Sequence, residues 1–199
     1  MKNNIYVITN ALQEALIVDP AWDFTSIISS IDSLKVTIKG IILTHHHFDH
    51  VNLAEKVSSY YNAPILISKI ESDYYKIYFS NQLFCFNEKK IEFGNILINP
   101  LVTPGHTKGS VCYLINNNLF SGDTLFIEGC GICSCEGGSA TEMFYSLSKL
   151  KQILQNNTLI YPGHSYYSPP GKTMEFVLDN NIYTQINNIN MFISYCKPR

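Results

Sequence analysis

The sequence predicts an α/β fold in which two packed β-sheets are covered by helices. Three observations carry that prediction. Of the 199 residues, 46% are hydrophobic and only 15% charged, which is enough apolar mass for a sizeable core and too little charge for a disordered chain. Short apolar runs closed by Gly, Asn or Pro recur along the chain and read as strands. Strands followed by a helix occur once in each half. A chain of this length is most economically one domain, residues 1–199.

In order, Ile5 to Thr9 and Ala15 to Val18 read as neighbouring strands, closed by Asp19-Pro20. Phe24 to Ile31 carries Ile27, Ile28 and Ile31 at helical spacing, and Ile41-Ile42-Leu43 is a short buried strand. Val51 to Tyr61 reads as one helix, ended by Asn62-Ala63-Pro64 before a strand from Ile65 to Ser68. In the second half, Ile91 to Phe93, Ile96 to Leu101, Val111 to Ile115 and Leu119 to Ser121 read as strands. Thr141 to Leu154 is a helix with Met143, Leu147, Leu150 and Leu154 as its apolar stripe and Ser139 or Thr141 as its cap. Thr158 to Tyr161 is a last strand. Ile182, Ile186, Ile189 and Ile193 then place four isoleucines on one face of a final helix.

Formal net charge is -2, and the only arginine is Arg199. Nucleic-acid binding needs clustered Lys and Arg to displace counterions, and no such cluster is present. No apolar run approaches the roughly 18 residues of a membrane span. The apolar stretch Ile5 to Ile8 is too short for a signal peptide, so the expected location is cytoplasmic. Six cysteines are then expected to be reduced. Cys130 and Cys133, with Cys135 beside them, make a C-x-x-C spacing without a second pair, and read as a loop of small residues.

The histidines are six: His45, His46, His47, His50, His106 and His164. Each follows a strand-like run. Four fall within Thr44-His45-His46-His47-Phe48-Asp49-His50, and imidazole and carboxylate are donors that zinc, iron and manganese accept. In extended chain His45 and His47 point the same way, while His46 points away and is left out of the set. Asp49 and His50 follow as the chain turns into a helix. Thr103-Pro104-Gly105-His106, Ser121-Gly122-Asp123-Thr124 and Tyr161-Pro162-Gly163-His164 each present a further donor after a strand. Five histidines and two aspartates exceed what one ion uses, which argues for two ions sharing a carboxylate.

This order of motifs over residues 44 to 164 resembles the metallo-β-lactamase fold superfamily. The resemblance implies a four-layer αββα sandwich, two mixed sheets packed face to face with helices outside. It gives His45, His47 and His106 to one metal and Asp49, His50 and His164 to a second, with Asp123 bridging them. It also makes Asp49 catalytic and matches Asp19 to a buried aspartate that supports the ligands. The implied cofactors are two zinc ions per chain, with iron or manganese as alternatives.

Within the superfamily, Gly122 to Phe126, Gly129-Cys130-Gly131 and Glu142-Met143 resemble the glyoxalase II group. Tyr166, after His164-Ser165, falls where that group contacts substrate. Ile132 stands where the group has a glutathione-binding lysine, and about 35 residues follow His164 where the group continues into a helical domain. Phe126 to Cys133, Gly137-Gly138-Ser139, Pro170 to Met174 and Asn180 to Tyr183 are more similar to the small zinc-dependent hydrolases of trans-acyltransferase polyketide clusters. That likeness implies an acyl thioester on an acyl carrier protein, or a small-molecule thioester. Tyr166 and Ile132 are then substrate-binding positions, Tyr167 a second mouth residue, and Lys149, Lys151, Lys172 and Lys197 candidate contacts for an acidic carrier. A hydroxyacylglutathione hydrolase is the alternative, and an iron persulfide dioxygenase a further one.

Overall fold

The computed structural model describes residues 3–85 and 88–196. Strands β1 (Tyr6–Thr9) and β2 (Glu14–Val18) pair antiparallel. From β2 the sheet continues in parallel through β3 (Thr37–Ile42), β4 (Ile65–Ser68) and β5 (Gln82–Cys85). The intervening helices are α1 (Phe24–Leu34), α2 (Phe48–Val51), α3 (Ala54–Tyr61) and α4 (Lys69–Tyr75). The second sheet begins with β6 (Ile91–Phe93), β7 (Ile96–Val102), β8 (Val111–Ile115) and β9 (Asn118–Gly122), all antiparallel to their neighbours. After α5 (Ala140–Ile153), β10 (Leu159–Pro162) joins β9 in parallel and β11 (Lys172–Thr173) closes the edge. Helices α6 (Met174–Asn180), α7 (Ile182–Gln185) and α8 (Ile189–Tyr195) follow.

Alternation along the strands separates three cores, because successive side chains point to opposite faces. Leu16 and Val18 of β2 face inward and meet Ile98, Val111, Tyr113 and Phe120 of the second sheet. Ala15 and Ile17 face the other way and pack with Ile41, Ile65 and Ile67 against α1 and α3 through Ile27, Ile31, Ala54 and Val57. On the far side, Leu101, Cys112, Leu119 and Ile160 pack against Met143, Leu147 and Leu150 of α5 and against Met174, Val177 and Phe192. The layers are therefore helix, sheet, sheet, helix, and both sheets are mixed, as the sequence predicts. No helix among the described residues is long and apolar enough to cross a membrane.

Three expectations are corrected. The final helix is two, α7 and α8, with Ile182 45% exposed and Phe192 the fully buried anchor instead of a continuous isoleucine stripe. The break has a local cause: Asn188 caps α8 by accepting the Met191 N–H at 3.1 Å. The helix read from Val51 to Tyr61 is interrupted at Asn52 and Leu53, so His50 lies in its own short turn. Helix α4 and strand β5, absent from the sequence reading, complete the first sheet. Of the two caps offered for α5, Ser139 serves, accepting from Glu142 N at 3.2 Å.

Candidate metal centre

Strands β7, β9 and β10 run in one direction, since β7 and β9 each oppose β8 and β10 parallels β9. Their C-terminal ends therefore lie at one edge of the sheet. His106 follows β7, Asp123 follows β9 and His164 follows β10 at that edge. The end of β3 reaches the same place: Val111 N donates to Thr44 O at 2.9 Å, and Tyr113 Oη to Leu43 O at 2.8 Å. Four loops from two sheets thus converge.

There the seven predicted donors form three overlapping groups, His45–His47–His106, His45–His50–Asp123 and Asp49–His50–His164, with ligand atoms within 4.8 Å of one another in each. Asp123 lies between the first and last groups. Its Oδ1 is 3.6 Å from His50 Nε2, and its Oδ2 is 3.5 Å from both His106 Nε2 and His164 Nε2. Asp49 Oδ2 is 3.3 Å from His164 Nε2.

The imidazoles are oriented by what their outer nitrogens touch. Asp19, buried after β2, accepts from Thr44 N at 2.8 Å, Thr44 Oγ1 at 2.6 Å and His50 Nδ1 at 2.9 Å. Thr44 Oγ1 thereby gives its proton to Asp19 and receives one from His45 Nδ1 at 3.0 Å. His106 Nδ1 donates to the Ile132 carbonyl at 2.7 Å. In all three rings Nε2 is turned inward: His45 Nε2 meets no partner, His106 Nε2 lies 2.9 Å from His47 Nδ1 and His50 Nε2 lies 3.3 Å from His164 Nε2. Burial and the neighbouring imidazoles push His45 well down, and burial holds His47 and His106 at about 4, so these rings are neutral. Burial opposes the His50 cation, but the Asp19 hydrogen bond and nearby carboxylates outweigh it and raise its pKa. Burial pushes Asp123 up to about 6 against the pull of His50 and His164.

The donor set fits a metal ion. His45 Nε2 and Asp123 Oδ1 are buried without a hydrogen-bond partner, and an unpaired buried polar atom is costly unless something else meets it. Neutral rings at His45, His47 and His106, crowded beside a buried carboxylate, are donors suited to a positive charge. Space is kept for it by glycine. A Cβ on Gly163 would meet Asp123 Oδ1 and come within 2.8 Å of His50 Cε1, and one on Gly131 would meet the Asp123 carbonyl and the His106 ring.

The donors open on a cleft of about 270 Å³ walled by Phe126, Cys130, Ile132, Cys135 and Tyr166. Ile132 and Tyr166 both line it; Tyr167, 92% exposed, does not. Lys149 is paired with Glu88 and the Val102 carbonyl, Lys151 with the Thr184 carbonyl, and Lys172 lies over the Phe176 ring. None of the three lines the cleft, and Lys197 lies outside the described residues.

Sequence reasoning missed Glu71. This fully buried carboxylate accepts from His46 N at 2.9 Å and His46 Nδ1 at 2.7 Å through Oε1. Its Oε2 accepts from Thr107 Oγ1 at 3.0 Å and Gly109 N at 2.7 Å. It therefore ties the His45–His50 loop to the His106 loop, and His46, excluded from the donor set, also stacks on Tyr75 at 3.6 Å. A signal was present: Ser68 and Glu71 have the S-x-x-E spacing of a helix start, and Ser68 accepts the Glu71 N–H at 3.3 Å.

An αββα sandwich carrying a histidine–aspartate cluster at one sheet edge defines the metallo-β-lactamase class of protein. The chain belongs to it: the family described as Metallo-beta-lactamase superfamily matches residues 1–164. A Bacillus velezensis protein named "Probable polyketide biosynthesis zinc-dependent hydrolase BaeB" is 40% identical over 97% of this chain and 86% of its own length. Its counterpart PksB of Bacillus subtilis is 38% identical over the same shares. A hydroxyacylglutathione hydrolase of Wigglesworthia glossinidia brevipalpis is 35% identical over 82% of this chain, which spans 62% of that protein. Among solved structures, ETHE1 from Myxococcus xanthus shares the fold, with a TM-score of 0.86 at 24% identity over 98% of this chain and 87% of that one.

Proposed function

We propose that this chain is a metal-dependent hydrolase of acyl thioesters, acting on an acyl group held by the pantetheine arm of a carrier protein in polyketide biosynthesis. The observation that carries the reading is the cluster of seven donors opening on a cleft that, among the described residues lining it, has neither Lys nor Arg. Similarity to the two polyketide hydrolases over nearly the whole chain supports the same reading.

His45, His47 and His106 would hold one ion and Asp49, His50 and His164 a second, with Asp123 shared. We assign zinc to both places; iron and manganese accept the same donors. Bound there, the ions would supply Lewis acidity and lower the pKa of water to about 7. Asp19 fixes the rings of His45 and His50 so that their Nε2 atoms stay turned inward. Asp49, its side chain 31% exposed, faces the cleft and is placed to orient water and take its proton at a carboxylate oxygen. A thiolate leaves without protonation, so the site requires no additional acid.

The cleft wall argues for the carrier. Glutathione has two carboxylates, and the lining offers them no fixed cation. Ile132, 63% exposed, presents apolar surface instead. A pantetheine arm carries amides, a hydroxyl and methyl groups, which apolar walls and a few hydrogen bonds hold. Protein purified without chelator should contain two transition-metal ions per chain by elemental analysis. In side-by-side assays, kcat/KM for carrier-bound or N-acetylcysteamine thioesters should exceed that for S-lactoylglutathione at least about tenfold, roughly 1.4 kcal/mol of discrimination. The second reading, a hydroxyacylglutathione hydrolase, is favoured by the similarity to proteins of that name. It replaces the first if lactoylglutathione proves the better substrate.

A further inference from the structure

Outside the metal centre, the chemistry-bearing cluster that stands out is made of thiols. The loop after Gly129 and the C-terminal end of α8 bring Cys130, Cys133 and Cys196 around one surface cavity of about 200 Å³. Ile132 at 63% exposure and Tyr195 at 40% open this cavity to solvent. It shares Cys130, Gly131 and Ile132 with the metal cleft, so one stretch of backbone walls both.

The three thiols are not equivalent. The Cys130 thiol beside Cys196 draws the Cys196 pKa below the usual thiol value, against burial and with a smaller contribution from Cys133. Cys130, donating to Cys196 and buried, is pushed the other way. Nucleophilic character therefore gathers on Cys196, because the thiolate is the reactive form. Cys85 and Cys112 provide the contrast: both are buried in the cores, and burial raises each to about 11.

We infer that Cys196 and Cys130 form an oxidisable pair that closes to a disulfide when hydrogen peroxide enters the cavity. The Cys196 sulfur attacks one peroxide oxygen; an S–O bond forms, the O–O bond breaks and hydroxide leaves. Sulfur is oxidised by two electrons to a sulfenic acid as the peroxide is reduced. The Cys130 sulfur then attacks the Cys196 sulfur. An S–S bond forms, the S–O bond breaks, and the hydroxyl departs with the Cys130 proton as water.

The bond would tie α8 to the loop that holds the metal centre from behind. In that loop Gly131 N donates to the Asp123 carbonyl at 2.9 Å, and the Ile132 carbonyl receives His106 Nδ1. Oxidation of this pair thus falls two residues from the Ile132 carbonyl that orients His106.

The test needs neither a metal nor a substrate, so it stands apart from the assays of the proposed activity. The full chain is treated with stoichiometric hydrogen peroxide, alkylated with N-ethylmaleimide and mapped by peptide mass spectrometry. The expected product is a Cys130–Cys196 linked peptide that dithiothreitol returns to two free thiols. Cys130→Ser should instead leave Cys196 as a sulfenic acid that dimedone labels. The inference is overturned if both thiols of the wild-type chain remain alkylatable after peroxide, or if Cys196 links to Cys133 or Cys135. Because the wild-type map decides the question, a variant that fails to fold does not affect it.

Discussion

Asp123 is the residue on which the two halves of the proposed centre depend. Its oxygens reach His50, His106 and His164 alike, whereas Asp49 touches only the last group. Asp123→Ala is therefore expected to lower metal content furthest, below one ion per chain, while Asp49→Ala retains the His45–His47–His106 ion. Elemental analysis of both variants checks this; Asp123→Ala protein that keeps two ions would refute a shared carboxylate. Glu71 is the complementary case, a residue that touches no ion but holds both loops. Glu71→Gln turns an amide N–H toward groups that are themselves donors, leaving buried donors unpaired at a cost of about 1–3 kcal/mol. Urea unfolding should show that loss. The donors were legible in sequence because each sits in a short motif directly after a strand. Glu71 was not, because a glutamate in a short polar helix carries no mark of burial, and its four donors come from loops that only the tertiary fold brings near.

Legibility of the elements follows the same rule. Strands whose apolar runs are flanked by Gly, Asn or Pro were readable, and β4, β6 and β8 begin and end where the sequence places them. Helix α4 and strand β5 were not, since neither has an apolar period of its own; β5 is fixed by pairing with β4, and α4 by its buried Glu71. The split between α7 and α8 was missed for an opposite reason. The isoleucine period runs through it, and the capping asparagines Asn181 and Asn188 override the period. Helix α5 shows how a local signal bears on the site. Ser139 caps it through its side chain while its own N–H donates to the Gly105 carbonyl at 2.8 Å, one residue before His106. Ser139→Ala removes the cap but keeps the backbone bond. It should cost about 1 kcal/mol of stability in a denaturant titration and leave metal content unchanged. A parallel loss of metal would mean that the cap, and not the backbone bond, positions the His106 turn.

For the whole molecule, the parallel run of β7, β9 and β10 gathers His106, Asp123 and His164 at one edge, and the packing of the two sheets brings the β3 loop to meet them. A site assembled from both sheets couples metal binding to the sandwich as a whole. The unfolded chain keeps the His45–His50 segment together but scatters the other donors, so an ion held by this proposed centre would bind the folded state far better than the unfolded one. Anything that binds only the folded state stabilises it by mass action, by about 2.7 kcal/mol per site when free ion is about 100 times Kd. Burial adds to this, since without an ion the Asp123 carboxylate is held in a setting that raises its pKa to about 6 and leaves its Oδ1 unpaired. In a domain of this size each kcal/mol moves Tm by about 2–4 °C. Stripping the ions with a chelator should therefore lower Tm by about 5–11 °C for each site emptied, by the product of those two figures. Calorimetry before and after chelation, with elemental analysis of the same samples and zinc added back, measures it. Recovery of Tm in two steps as zinc is titrated would support two sites filled in turn. An unchanged Tm in protein proven free of metal would show that the donors do not bind an ion in the folded state, and the hydrolase reading would fall with them.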